Sequence, residues 1–342
     1  MAMLAWNVRG LGNKDTVRAL KNVSFKHKAE IIFLCETKQK KKYLEKIRMK
    51  MKLDNAFYVE PDGVAGGLAL WWSSNVKLSI LEEDKNFIDT SISIQGEEDW
   101  FGTFIYAPPY AEKKQEFWEK LASLRKESNL KWCIMGDSNT VTLPTDKCGG
   151  LPFDHNSAEW YFEFLDRTFL MEIQCKRGVY TWSNQRSDEA SILEKLDRVF
   201  SSLEWNCLFP HAIAVIDVAI ASDHSPLVLL TNGVRKKIRM YFKFESKWLI
   251  EEECPQVVKE EWEKNGKRSF KGSFRLKLRR TSLKLRIWNK EKFGKNRESA
   301  NDVMNKIEQL QDKQLSAEET HALHDLKSRL LKIWEGEEMY WQ

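Results

Sequence analysis

The sequence predicts an α/β protein of two stacked sheets flanked by helices, followed by a helical extension. Three observations carry that expectation. Short apolar runs recur through the first two-thirds of the chain, as strands covered on both faces require. Amphipathic helical stretches fall between them at irregular intervals, unlike a strict βαβ repeat. Near residue 234 the strand signal gives way to helical signal and the charge balance changes sign.

The strand candidates, in order, are "MLAWNV" (3–8), "EIIFLC" (30–35), "GLALWW" (67–72), "WFGTFIYA" (100–107), "WCIMG" (132–136) and "SPLVLL" (225–230). "FIDTSISIQ" (87–95) alternates more and is expected at a sheet edge. Helices are expected at 14–28, 40–52, 111–128 and 157–168, the last with Ser157 as its N-cap. Beyond "LLTNGVRKK" the chain reads as helical. Ser316 and Glu319 fit a capping box, ahead of a stripe of Leu323, Leu326, Leu330 and Ile333. Val303, Ile307 and Leu310 form a similar stripe upstream, so the two are expected to pair as a helical hairpin with ordinary core-facing sides.

A chain of 342 residues buries a large core and makes more than one folding unit. Its 42% hydrophobic and 12% aromatic content is that of a globular protein, unusually rich in Trp with fourteen. The net charge of +5 is unevenly spread. Residues 1–234 hold 29 basic and 32 acidic groups, whereas 235–342 hold 26 and 18. The block 264–297 alone has 14 basic residues against one acid, Glu291, and suits contact with a polyanion. Cys35, Cys133, Cys148, Cys175, Cys207 and Cys254 lie far apart without CxxC pairing, which argues against a zinc site or disulfide framework and for a reduced, intracellular protein. The opening "MAMLAWNVRG" lacks the features of a signal peptide, and no apolar run reaches membrane-spanning length. The sequence does not set an oligomeric state.

Several apolar runs end in groups able to do chemistry: Asn7, Glu36, Tyr106, and Asp137 with Asn139. Asp197 follows "EKL", and Asp223 and His224 precede another apolar run. Singly, each has an ordinary explanation, such as a turn residue for Asn7, a cap for Glu36, an ion-pair partner for Asp197 or a core histidine for His224. As a set, carboxylates, amides, a Tyr and one His favour a hard, oxygen-seeking cation, Mg²⁺ or Mn²⁺, over zinc. With such an ion polarising a phosphate, a free carboxylate can take a proton from water, and a His–Asp pair can bind or protonate phosphate oxygens. That inventory fits metal-assisted hydrolysis of a phosphodiester.

The motifs "WNVRGLGN" (6–13), "FLCETK" (33–38), "GGLALWW" (66–72), "YAPP" (106–109), "GDSN" (136–139), "YTWSN" (180–184), "LDR" (196–198) and "SDHSPL" (222–227) resemble the ordered signatures of the exonuclease–endonuclease–phosphatase superfamily. More narrowly, they resemble the AP-endonuclease-like domain of plant LINE-type (non-LTR) retrotransposon polyproteins. The resemblance covers residues 1–232 and implies a four-layer α/β sandwich of two stacked mixed sheets flanked by helices. Residues 233–342 would then be a basic, mainly helical extension, since "KLRIWNKEKFG" (284–294) and "EEMYWQ" (337–342) resemble the linker before a reverse transcriptase. The chain is expected to stop where that polymerase would begin.

Carried over by position, the resemblance implies that Glu36 is the principal metal ligand, with Asn7 beside it and Asp223 supporting the metal or the His. Asp137 would activate the attacking water, Asn139 would position it, and Tyr106 would face the phosphate. His224, held by Asp197, would stabilise the transition state. Cleavage would leave a 3′-hydroxyl and a 5′-phosphate, as in a target-site nickase, which places the protein in the nucleus. Two departures stand out: Ser138 replaces the usual Phe of "GDFN", and Ala107 replaces the commoner Gly. Losing a buried Phe is expected to leave a cavity or force repacking, at about 3–5 kcal/mol.

The basic segment (264–295) interleaves Lys271, Arg275, Lys277, Arg279, Arg280, Lys284 and Arg286 with apolar residues. As a helix from about 273 it would contact phosphates of DNA, or of RNA, without reading bases. No lipidation or anchor signal favours a membrane. "CGGLPFDHN" (148–156) is a candidate recognition loop. Two other functions compete: a superfamily phosphoesterase for small phosphate esters, and a nucleic-acid-binding relic that Ser138 has silenced.

Overall fold

The computed structural model describes residues 1–63, 65–94, 98–125, 129–233, 244, 248–249, 251–263 and 270–339, with side chains at 94, 270–273, 293–299 and 337–339 excluded. Two compact units emerge. The first comprises Met1–Val234 together with Glu308–His324, the second Arg235–Ile307 with Asp325–Gln342.

The first unit is built on two six-stranded mixed sheets. Its chain runs β1 (Ala2–Asn7), α1 (Lys14–His27), β2 (Ile31–Cys35), α2 (Lys41–Met51), β3 (Asn55–Val59), β4 (Leu68–Trp72), β5 (Val76–Asp84), β6 (Phe87–Ile94) and β7 (Trp100–Tyr106). It continues through α3 (Lys114–Ser123), β8 (Trp132–Asp137), β9 (Lys147–Cys148), α4 (Glu159–Thr168), β10 (Met171–Glu172), β11 (Trp182–Ser183), β12 (Leu193–Glu194) and β13 (Asp197–Ser201). Last come α5 (Leu203–Leu208), β14 (Ile213–Ile216) and β15 (Leu227–Leu230). One sheet has the order β14-β15-β1-β2-β4-β3, the other β10-β13-β8-β7-β6-β5. Each contains one parallel pair, β1–β2 and β7–β8, among antiparallel neighbours. Short strands β11, β12 and β9 form a third, small sheet.

The apolar runs become strands because both their faces are covered: every residue of β1, β2, β4, β8 and β13 is buried. Alternate residues of the two sheets, among them Met3, Phe33 and Leu70 against Ile88, Phe104 and Met135, form the central layer. The other face of the second sheet packs Phe87, Ile134 and Phe200 against Phe117, Trp118, Tyr161 and Phe164 of α3 and α4.

Three details differ from the sequence reading. β6 is not an edge strand; it lies between β5 and β7, and β5 takes the edge. Its polar residues are satisfied internally rather than by water: Arg125 and Thr103 bind Asp89, each at 2.7 Å, and Thr90 Oγ1 donates to Gly102 O at 2.6 Å. Nor does Ser157 cap α4. Asp154 accepts from Asn156 N at the start of a 3₁₀ turn (His155–Ala158) that leads into the helix. The helix expected from 111 starts as a 3₁₀ turn (Ala111–Lys113) and becomes α3 at Lys114, while 126–128 lie outside the described residues.

The C-terminal region is helical: α6 (Glu253–Glu263), α7 (Phe270–Gln311) and α8 (Ala317–Met339). In the second unit Trp248, Cys254, Leu285 and Trp288 form an apolar cluster, tied by Trp248 Nε1 donating to Asn289 Oδ1 at 2.8 Å. Val303, Ile307 and Leu330 of the two expected stripes are buried, whereas Leu310, Leu323, Leu326 and Ile333 are half-buried. The capping box at α8 forms in both directions: Glu319 N donates to Ser316 Oγ at 3.2 Å and Ser316 N to Glu319 Oε2 at 3.1 Å. No helix among the described residues is long and apolar enough to cross a membrane.

Candidate active site

Strand ends bring the polar groups together. β1 ends in Asn7, β7 in Tyr106 and β8 in Asp137; Glu36 follows β2, and Asp197 opens β13. In register, Asn7 stands beside Cys35, while Asp137 stands between Tyr106 and Asp197. β15 runs antiparallel to β1, so the residues ahead of it flank the end of β1. Ser222 Oγ donates to Asn7 O at 2.9 Å, and Trp6 Nε1 donates to His224 O at 2.9 Å.

Left-handed backbone marks this rim. Arg9, Glu36 and Asn139 have φ of 42°, 50° and 45°. Such a conformation costs about 1–3 kcal/mol per residue and persists only where surroundings enforce it. Here Val8 N donates to Cys35 O at 3.1 Å and Gly10 N to Glu36 O at 2.8 Å. Gly136 is equally constrained: its φ is +142°, and a Cβ there would stand 2.1 Å from Ile105 O. Only Gly lets β8 approach β7 this closely.

Five of the eight predicted metal and catalytic residues, Asn7, Glu36, Tyr106, Asp137 and Asn139, share one hydrogen-bonded chain, with the His224–Asp197 pair beside it. Asn7 Nδ2 donates to Glu36 Oε1 at 3.2 Å and to Asp137 Oδ2 at 3.0 Å. Tyr106 OH donates to Glu36 Oε1 at 3.0 Å. His224 Nδ1 pairs with Asp197 Oδ2 at 3.0 Å, and its Nε2 stands 3.9 Å from Asp137 Oδ2. Asn139 N donates to Asp137 Oδ1 at 2.9 Å, while its Nδ2 donates to Ala107 O at 2.7 Å. Asp223 is engaged slightly apart, by Trp182 Nε1 at 2.9 Å and by Arg9, whose Nε is 4.0 Å from Glu36 Oε2.

Burial sets the electrostatics. It pushes the Asp137 carboxyl up, to about 7, with Asp197 adding to the rise and His224 opposing it. Burial pulls His224 down, but the Asp197 and Asp137 carboxylates outweigh it and carry the imidazole up to about 9. The trio can therefore hold or release a proton near neutrality. Burial also raises Glu36, yet hydrogen bonds from Lys38, Asn7 and Tyr106 bring it below the usual carboxylate range. Tyr106 is raised by burial and then by Glu36, so its phenol stays protonated.

These residues fit a divalent cation. Asp137, Asp197 and His224, all buried, bring their polar atoms within 4.8 Å of one another, but with the imidazole protonated near neutrality it is the carboxylates that can serve a cation. Asp197 Oδ1 and Asp223 Oδ1 are buried without a hydrogen-bond partner. Unsatisfied carboxylate oxygens in an anionic cluster suit a cation with oxygen preference. Cys35 lies beneath them, but burial and then Asp137 push its thiol well above its ordinary value. It offers no thiolate, which disfavours zinc.

Ser138 does not leave its site unsupported. Fully buried, its Oγ and N both donate to Leu196 O, at 2.7 and 2.8 Å. The substitution exchanges aromatic packing for a link between the ends of β8 and β13. Ala107, the other departure, is also fully buried.

Sequence reasoning missed four supporting residues. Arg9, inside "WNVRGLGN", contacts two carboxylates, and Trp182, inside "YTWSN", fixes Asp223. With Asn184, Gln185 and Arg186 they line an open cleft of about 560 Å³. Thr181 Oγ1 accepts from both Leu196 N and Asp197 N at 2.9 Å. Lys114 Nζ donates to Asn139 O at 2.6 Å, and nothing in a lysine on an amphipathic helix signals that role.

In the second unit, α7 exposes Arg275, Arg279 and Arg286, while Lys277, Arg280 and Lys284 are half-buried. The side chain of Lys271 lies outside the described residues, as do residues 264–269 of the basic block. The loop 148–156 exposes Leu151, Asp154 and His155.

The sequence profile of the Endonuclease/Exonuclease/phosphatase family matches residues 4–224. The fold is similar to the endonuclease domain of TRAS1, a telomere-specific non-LTR retrotransposon, at 13% identity over 69% of this chain and 99% of that one, with a TM-score of 0.50. It is similar to an AP endonuclease from Archaeoglobus fulgidus at 16% identity over 68% and 99%, with a TM-score of 0.52. A 3′ phosphatase, NExo, from Neisseria, bound to product DNA hairpin, is 16% identical over 67% and 98%, with a TM-score of 0.50. At these identities the likeness is one of fold. Comparison with curated proteins finds no match.

Proposed function

Since this chain belongs to the endonuclease/exonuclease/phosphatase family, we propose that it is a divalent-cation-dependent DNA endonuclease that hydrolyses a phosphodiester to leave a 3′-hydroxyl and a 5′-phosphate. The observation that carries the reading is the bonded chain from Glu36 through Asn7 to Asp137, with His224 and Asp197 alongside.

Glu36 and Asn7, with Asp223 in support, would hold Mg²⁺ or Mn²⁺, which supplies charge stabilisation at a phosphate oxygen. Asp137, whose carboxyl burial raises to about 7, takes the proton of the attacking water. Asn139 orients that carboxylate through its backbone amide. Asp197 holds His224 through Nδ1, leaving Nε2 to face the phosphate as a charged donor. Tyr106 fixes Glu36 and borders the phosphate site.

The wording of "WNVRGLGN" and the TRAS1 likeness support descent from a retrotransposon target-site nickase, acting in the nucleus. Exposed Arg275, Arg279 and Arg286 on α7 would contact nucleic-acid phosphates without reading sequence.

Incubating supercoiled plasmid with the full chain and Mg²⁺ tests this. Nicks that ligase can seal, lost with EDTA and in Asp137→Ala, are expected. DNA retention without nicking would overturn the enzymatic reading in favour of a binding relic. Phosphate release from small esters without nicking would favour a phosphoesterase.

A further inference from the structure

The first unit includes a stretch distant from the family-matched residues: Glu308–His324, comprising the last turn of α7, the connection after it and the first turns of α8. Its contacts fall on two loops. Gln311 Oε1 accepts from Ala219 N at 2.9 Å, and its Nε2 reaches Asp217 O at 3.4 Å and Ser225 Oγ at 3.2 Å. One carboxamide thus ties both ends of the loop that bears Asp223 and His224. Asp312 Oδ1 accepts from Val179 N at 3.0 Å, Glu308 pairs with Arg177, and Leu315 O accepts from Asp188 N at 2.8 Å. These hold the second loop, which carries Thr181 and Trp182.

The two loops are also bound to each other at the active site. Ser225 N donates to Thr181 O at 2.7 Å, Ser183 N donates to Asp223 O at 3.1 Å, and Trp182 pairs with His224 in an isolated β-bridge. Ala221 holds a left-handed φ of 59° in the middle of the first loop. A loop under such strain keeps its shape only if its ends are fixed. We infer that the segment 308–315 is a structural part of the active-site rim, with Gln311 a positioning residue for the loop that presents Asp223 and His224 and Asp312 one for the loop that carries Thr181 and Trp182. Neither residue touches the reacting groups: Gln311 acts through Ala219 N, Asp217 O and Ser225 Oγ, and Asp312 through the backbone amides of Val179 and Tyr180. The inference rests on the proposed nuclease function for its kinetic consequence alone.

Amide hydrogen exchange on the full-length chain tests it, compared across Gln311→Ala, Asp312→Ala and Asp312→Asn. Asn keeps the Oδ1 acceptor for Val179 N and serves as the conservative rescue. Exchange at 217–225 is expected to rise about tenfold in Gln311→Ala, and at 179–183 in Asp312→Ala, with β1 and β8 unchanged and Asp312→Asn near the parent. Nicking should lose about tenfold in kcat with KM little altered, because the displaced groups act in the transition state. Unchanged exchange at both loops overturns the inference, as does faster exchange with undiminished kcat. Should the parent chain fail to nick DNA, the proposed function falls while the exchange result still decides whether the segment orders these loops.

Discussion

At the sheet rim, Asn7, Glu36, Tyr106, Asp137, Asp197 and His224 come from the length of the first unit and converge on one buried to half-buried cluster. Along α7, Arg275, Arg279 and Arg286 come from one short stretch and face solvent. Catalytic geometry needs groups fixed to fractions of an ångström, which only a packed scaffold of distant strands provides. Phosphate binding needs charge density alone, and one helix supplies it. The difference predicts sharp, local failure at the rim and graded, salt-sensitive failure on the helix.

The largest effect should come from Asp137→Ala, which leaves a neutral hole between Asn7 and His224. A loss of about 10³-fold or more in nicking rate is expected, with DNA retention unchanged in a filter-binding assay. If retention fell as steeply as rate, the separation of chemistry from binding would break. Next is Ser138→Phe. With the site fully buried and its hydroxyl bonded to Leu196 O, restoring the common aromatic should destabilise the protein by about 1–3 kcal/mol in urea unfolding. A stabilised variant would mean that the local packing still prefers an aromatic.

Asp217 sharpens the contrast between buried and exposed charge. Burial raises its carboxyl, but a hydrogen bond from His27 and the charge of Lys26 outweigh this and hold it well below the ordinary range. A depressed folded-state value stabilises the fold above the unfolded pKa, about 3.9, and that contribution is lost as pH falls through the folded value. Asp217→Asn should therefore lower stability by about 1–3 kcal/mol at pH 7 and flatten the acid limb of a stability–pH profile below about pH 4. The smallest effect belongs to the helix. Arg275→Ala, Arg279→Ala and Arg286→Ala combined should weaken DNA binding about tenfold, reduce its salt slope by about 3, and leave kcat unchanged.

Legibility followed the same division. The strands of the inner layer were readable because burial on both faces leaves continuous apolar runs, and the capping box at Ser316 and Glu319 was readable because it is local. β6 was misread because Asp89 and Thr90 look solvated until Arg125, Thr103 and Gly102 are seen beside them. The polar residues later found at the rim could be nominated from strand ends. Lys114, Thr181 and Gln311 could not, since each acts on backbone atoms across a gap that no spacing encodes. Ser138 was recognised as a departure, but its compensation depends on where Leu196 lies in space.

The row of Tyr106, Asp137 and Asp197 across β7, β8 and β13 has one more consequence. Its alignment depends on the number of residues in β8, because deleting one would turn Asp137 toward the opposite face of the sheet. The length of that strand is therefore as much a part of the site as the carboxylate at its end.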